Sequence, residues 1–237
     1  MENNTEDTRR NVVYLQEGNM NDWRERRFYS LSEIMPELEE RKIRIGDTVK
    51  LGYMTMLGDG CTIENGTTVG DEAVIDRGAY IGSGCRIGNM AIVAEKACLL
   101  GNVTMEKDAF IGFNAFVKNG TVIKEGGEIG KNCHIAAYCT IGKYSIINNG
   151  TEMGEHTELG DNVFVGEKAR IESMCKIGNG TIMGNETTIK EGSVIAGGVR
   201  IPHFITTGSI QEKAMKEYPE NGIASKEGNT VHRTMRR

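Results

Sequence analysis

Ile75-Asp-Arg-Gly-Ala-Tyr-Ile81-Gly-Ser-Gly-Cys-Arg-Ile87-Gly-Asn-Met-Ala-Ile-Val93 carries an aliphatic residue at every sixth position. Followed outward, the same step runs from Ile45 to Ile201 without a slip, and all 27 positions on it are Ile, Leu, Val or Met. Chance placement does not produce such a run, so the repeat decides the fold. Gly follows the aliphatic residue in 14 of the 27 hexads, as at Gly82 and Gly160. Four residues after the aliphatic comes a small residue, such as Thr55, Cys61, Ala73, Cys85, Ala115, Cys133, Ser145 or Thr187. No Pro falls between Ile45 and Ile201, whereas Pro36 precedes the stretch and Pro202 and Pro219 follow it.

Six residues are too few for a helix and its turn, but they fit a short strand and a sharp corner. Alternate side chains of a strand point to opposite faces, so the aliphatic and the small residue two before it point inward together. Gly after the aliphatic is expected to ease the corner, having no Cβ. The pattern resembles the hexapeptide-repeat left-handed parallel β-helix over about two thirds of the chain. That resemblance implies left-handed winding and a triangular coil of 18 residues, hence about nine coils in a prism ~40 Å long at ~4.8 Å per coil. The expected organisation is an N-terminal extension with a short capping helix over 1–44, the all-β prism over 45–202, and a C-terminal helix and basic tail over 203–237.

Composition agrees with a repetitive β architecture. The 237 residues include 31 Gly, 3 Pro and 6% aromatics, with Trp23 the single Trp. An apolar content of 38% is too high for a disordered chain. No apolar run approaches the ~20 residues of a membrane span, and Met1–Arg10 lacks the apolar core of a signal peptide. A net charge of -5, mixed along the chain, argues against a nucleic-acid surface. Cys61, Cys85, Cys133, Cys139 and Cys175 occupy the small inward position, which reads as buried, reduced thiol and a cytoplasmic protein; Cys98 falls elsewhere.

Open prism ends invite pairing with other chains and should be covered. Ser30 and Glu33 form a candidate capping box before a helix over Leu31–Arg41, or Ser32 caps it with Pro36 in the first turn. Trp23, Phe28 and Tyr29 are placed to seal the first coil. Ser209 and Glu212 are placed to open a helix over Gln211–Tyr218, stopped by Pro219, before a solvated basic tail from Ser225 to Arg237.

Residues 18 apart stack on one rail, and those before each inward aliphatic point outward. One face reads Met56, Val74, Ile92, Phe110, Glu128, Ile146, Phe164, Ile182, Arg200 and is mostly apolar. A second reads Lys50, Thr68, Arg86, Thr104, Val122, Thr140, Glu158, Lys176, Val194 and is mostly polar. Long exposed apolar stripes mark interfaces, so the first face is expected to be covered. A terminal helix would serve, as would self-association, which the resemblance makes a parallel homotrimer.

The third face reads Thr62, Tyr80, Cys98, Phe116, His134, Glu152, Arg170, Thr188. His134 stands one coil from Glu152, and Glu152 one from Arg170; a carboxylate beside an imidazole orients it and raises its basicity. The rail of the adjacent corner carries Gly120, Tyr138, His156 and Met174. A surface polar ladder without function would read the same way.

His134-Ile-Ala-Ala-Tyr-Cys-Thr-Ile-Gly142, Ile146-Ile-Asn-Asn-Gly150 and Gly154-Glu-His156 resemble the active-site coil of acyl-ACP-dependent lipid A acyltransferases and related nucleotide-sugar acetyltransferases. In that family a His in the triplet before the Ile-Gly is the general base; here the triplet is Ala137-Tyr138-Cys139 and the base position is Ala137. The family's substrate-holding histidines match His134 and His156. The resemblance therefore implies His134, oriented by Glu152, as a displaced base, with His156, Tyr138, Arg170 and Asn149 as substrate contacts in the clefts of a trimer. Its donor, acetyl-CoA or an acyl carrier protein thioester, lies along C-terminal coils, where Gly197 and Gly198 would admit it. The same glycines could simply end the coils.

Many members of that family extrude a loop from the prism, and this chain has no insertion between Ile45 and Ile201. Metal catalysis needs converging histidines, and His134 and His156 find no third within the regular coils, so no metal site is expected. Phosphate-loop and GxSxG motifs are absent from the sequence. Two function classes follow: acyl transfer from a thioester carrier to a sugar or amine, and non-catalytic holding of a small anionic or nucleotide-like ligand or of a protein partner.

Overall fold

The computed structural model describes residues 11–16 and 22–210, together with the backbone of His232–Arg233. From Arg44 to Thr207 the chain winds as a left-handed parallel β-helix of about nine coils. Two-residue strands recur every six residues, and each pairs in parallel with the strands 18 residues before and after it. Ile92 lies beside Val74 and Phe110, and His134 beside Phe116 and Glu152. Three flat sheets result, one per side of the prism, and they carry the three rails that the spacing predicts.

The core follows from the hexad. Every aliphatic on the six-residue step is buried except Ile45 and Leu51, which sit half-buried in the first coil. Each buried side chain contributes roughly 1.5–3 kcal/mol. Small inward residues serve two purposes: they leave room for the aliphatics and they splint the coils. The Thr67 hydroxyl donates to the Gly82 carbonyl at 2.9 Å and accepts the Cys85 N–H at 3.3 Å, while the Cys139 thiol donates to the Gly154 carbonyl at 3.1 Å. All six cysteines are free thiols; five are buried and Cys98 is half-buried.

Gly after the aliphatic has a different cause from the expected one. Gly52 and Gly142 do not adopt positive φ. A Cβ on Gly52 would strike the backbone of Gly70–Asp71, and one on Gly142 that of Gly160–Asp161, so close stacking of coils excludes a side chain there. The left-handed corner residue comes two positions later, at φ of 53–74°, and is more often another residue than Gly: Met54, Lys96, Tyr138 and His156 all sit there. Each such residue stores roughly 1–2 kcal/mol of backbone strain, which the stacked coils hold in place.

The N-terminal cap is mainly strand rather than helix. Strands β1 (Asn11–Gln16) and β2 (Trp23–Phe28) pair antiparallel, and β1 joins the apolar sheet in parallel with Thr55–Leu57. The predicted Leu31–Arg41 helix is split: a 3-10 turn over Leu31–Glu33 precedes helix α1 (Met35–Glu40), which has Pro36 in its first turn. The Glu33 carboxylate accepts the Ser30 and Tyr29 N–H groups at 3.1 and 3.2 Å. The end of the core is closed by Leu38, fully buried, and by Phe28; Tyr29 is exposed and Trp23 half-buried. Two of the three guanidinium nitrogens of Arg26, Nε and Nη2, donate to the Glu37 carboxylate at 2.5 Å and hold its pKa below the usual carboxylate range.

At the other end, Ile210 is buried and exchanges backbone hydrogen bonds with Val194 and Ala196. The expected helix over Gln211–Tyr218 lies outside the described residues. So does the tail, apart from the His232–Arg233 backbone, which pairs antiparallel with Thr206 and Ile205.

Candidate functional site

His134, Glu152 and Arg170 project from consecutive coils of the third face, because the 18-residue register stacks them and the inward turn of Ile135, Met153 and Ile171 leaves them outside. With Glu172, Ser173 and Glu191 they line an open depression of about 580 Å³ that runs onto the corner beside this face. The sequence reading gathered the first three residues. It missed the second three, although Ser173 and Glu191 are themselves 18 residues apart on one corner rail.

The side chains do not form the expected dyad. Glu152 turns to Arg170, with Arg170 Nη1 3.3 Å from Glu152 Oε2, and both are 63% exposed. No hydrogen bond joins Glu152 to His134. The imidazole instead tilts against Phe116 with ring centroids 5.1 Å apart. Glu172 pairs with Lys190 at 3.6 Å and also accepts the Glu191 N–H at 2.9 Å. His134 is therefore an exposed imidazole with one face on an aromatic ring and no carboxylate partner among the described residues.

Tyr138 and His156 stand on the corner rail next to the depression. Their rings stack with centroids 5.1 Å apart and planes 12° from parallel. The Tyr138 ring also lies over Gly120, where a Cβ would come within 2.6 Å of Tyr138 Cδ1. The resemblance's triplet thus contributes an exposed phenol, an Ala and an unreactive thiol. Burial pushes the Cys139 thiol up to about 11, which leaves it protonated at neutral pH.

Two other groups fall elsewhere. Asn149 sits on the corner at the far edge of the third face, and its Oδ1 accepts the Lys131 N–H at 2.8 Å, splinting two coils. Gly197 and Gly198 lie on the corner between the polar and apolar faces, opposite the third face. Gly198 is a left-handed corner residue at φ +71°, and a Cβ on Gly197 would come within 3.0 Å of the Asn179 carbonyl oxygen one coil below. Among the described residues no three of His, Cys, Asp and Glu are grouped to hold a metal ion. No helix among them is long and apolar enough to cross a membrane.

The family model of the GMPPB C-terminal domain matches residues 105–216, which include the depression. Similar solved structures include UDP-N-acetylglucosamine acyltransferase from Francisella novicida, at 15% identity over 71% of this chain and 65% of that one with a TM-score of 0.39. LpxA from Acinetobacter baumannii is 17% identical over 72% of this chain and 70% of that one, with a TM-score of 0.40. WeeI from the same organism is 19% identical over 46% and 61%, with a TM-score of 0.31. The chain spans less than two thirds of the length of the Francisella protein. No curated protein matches the sequence. These likenesses concern the fold.

Proposed function

We propose that this hexapeptide-repeat left-handed β-helix protein transfers an acyl or acetyl group from a thioester carrier to a sugar or amine acceptor at the depression beside His134. The observation that carries the reading is the exposed His134 imidazole, standing in a concavity with Arg170 on the same face and a stacked tyrosine–histidine pair on the adjoining corner. An imidazole nitrogen can take up a proton and pass it on, the work of a general base and then a general acid. In the step proposed, the acceptor oxygen or nitrogen attacks the thioester carbonyl and gives its proton to His134 Nδ1 or Nε2. The C–S bond then breaks, and the departing sulfur takes up that proton as a free thiol. Arg170 holds a negative group of the acceptor, and Tyr138 and His156 offer it an apolar edge. The donor in this reading is acetyl-CoA or an acyl carrier protein thioester, and the family resemblance would set such sites in the clefts of a homotrimer.

A second reading has its own support. Ala137 stands at the family's base position and Glu152 is engaged by Arg170, which suits a depression that holds a ligand without chemistry. One experiment separates the two: incubation with acetyl-CoA or an acyl carrier protein thioester and pooled sugar and amine acceptors, following free thiol. Acceptor-dependent thiol release that His134→Ala abolishes supports transfer. A ligand recovered unchanged and stoichiometric, with no thiol released, replaces it with the binding reading.

A further inference from the structure

On the C-terminal half of the apolar face the rail reads Glu128, Ile146, Phe164, Ile182, Arg200, each one coil from the next. The order is symmetric about Phe164 in shape and antisymmetric in charge. Phe164 is 41% exposed and Ile182 37%, while Glu128 and Arg200 are exposed and carry no ion pair among the described residues.

We infer that this half of the face binds a second copy of the chain, antiparallel, about a twofold axis through Phe164. Such an axis, lying in the contact plane along the strands, sets Phe164 on Phe164, Ile146 on Ile182 and Glu128 on Arg200, so both charges are matched twice over. No other register does this. A parallel twofold pairing opposes Glu128 to Glu128, and moving the antiparallel axis to Ile146 or Ile182 sets charge on apolar side chains. Two flat sheets can meet this way at about 10 Å.

The flanks follow the same symmetry. On one side Tyr144, 56% exposed, falls opposite Gly180, where open space lies around the missing Cβ. On the other side Asn148 falls opposite Gly184, and no charge stands immediately beside the rail between Gly126 and Pro202. Beside the N-terminal half, Glu72, Asp76 and Asp108 do stand there. Matched charges at the rim of such a patch fix register more than affinity. The depression beside His134 lies on another face, so acyl transfer there stands or falls separately from this pairing, whereas the homotrimer clefts that the resemblance implies are an alternative that a dimer would exclude.

Native mass spectrometry and sedimentation over 1–100 µM test it. The expected result is a dimer. Glu128→Arg and Arg200→Glu should each weaken it at least about tenfold, since each sets like charges together twice. The double variant should return the affinity to within a few-fold of wild type. Phe164→Glu should abolish the dimer, whereas Phe110→Glu, which lies beyond the partner's Arg200, should leave it nearly unchanged. A trimer, a monomer throughout that range, a double variant no better than the singles, or a Phe110→Glu effect equal to that of Phe164→Glu would each overturn the inference.

Discussion

Glu152 closes an ion pair with Arg170 at 3.3 Å and leaves His134 to lean on Phe116, although register makes Glu152 the neighbour of both. A guanidinium carries a permanent charge and presents its N–H donors in a fork that suits a carboxylate, and the carboxylate goes to Arg170. Because the pair is exposed, Arg170→Ala should change stability by less than about 1 kcal/mol in thermal unfolding. The same variant should impair acceptor use, seen as a raised KM for acidic acceptors. A loss of stability well above that range would show that the pair holds the fold.

Glycine positions should divide sharply by cause. Gly142→Ala forces a Cβ into the Gly160 carbonyl and should cost about 3 kcal/mol in denaturant unfolding. Gly180→Ala meets nothing within 4 Å at φ +67° and should cost only the left-handed strain of about 1–2 kcal/mol. Equal losses would mean that the close stacking at Gly142 costs no more than left-handed strain does at Gly180.

Thiol chemistry should follow burial. Burial raises all six thiols, Cys61 to about 12 and Cys139 to about 11, and Cys98 differs from the other five in being only half-buried, so native protein at pH 8 should be alkylated first, though slowly, at Cys98. Mass spectrometry of the peptides checks this. A thiol whose folded pKa is raised stabilises the fold only while the unfolded chain is also protonated. Stability should therefore fall as pH rises above about 9 and towards 11, where the unfolded chain ionises first.

The N-terminal cap predicts the opposite slope in acid. Arg26 lowers the Glu37 pKa, so its contribution is present above the ordinary carboxylate value and is lost as pH falls through the lowered one. The melting temperature of Glu37→Gln should thus fall less than that of the native chain between pH 6 and pH 3. A parallel decline in both would place the acid sensitivity elsewhere.

Plugging of the prism end rests on Leu38, which is fully buried. Leu38→Ala should cost about 2–5 kcal/mol. Hydrogen exchange should then quicken first at Ile43–Ile63, the coil beneath the plug, and uniform quickening along the prism would contradict a local role.

The sequence by itself determined the coil, its three faces and the stacking of His134, Glu152 and Arg170. Each of these needs only an unbroken six-residue phase, and that phase is local and repeated, so no single substitution can blur it. Tertiary structure decided what the phase does not encode. Val13 meets Thr55 across 42 residues of chain, a pairing that no short-range pattern announces, and it turned an expected helical cap into a hairpin. Gly52 is small because Gly70 lies against it, not because its own corner demands it. Rails fix which Cα atoms are neighbours, but the rotamer of Glu152 is chosen by competition between two neighbours, and that choice separates an imidazole held by a carboxylate from one standing alone.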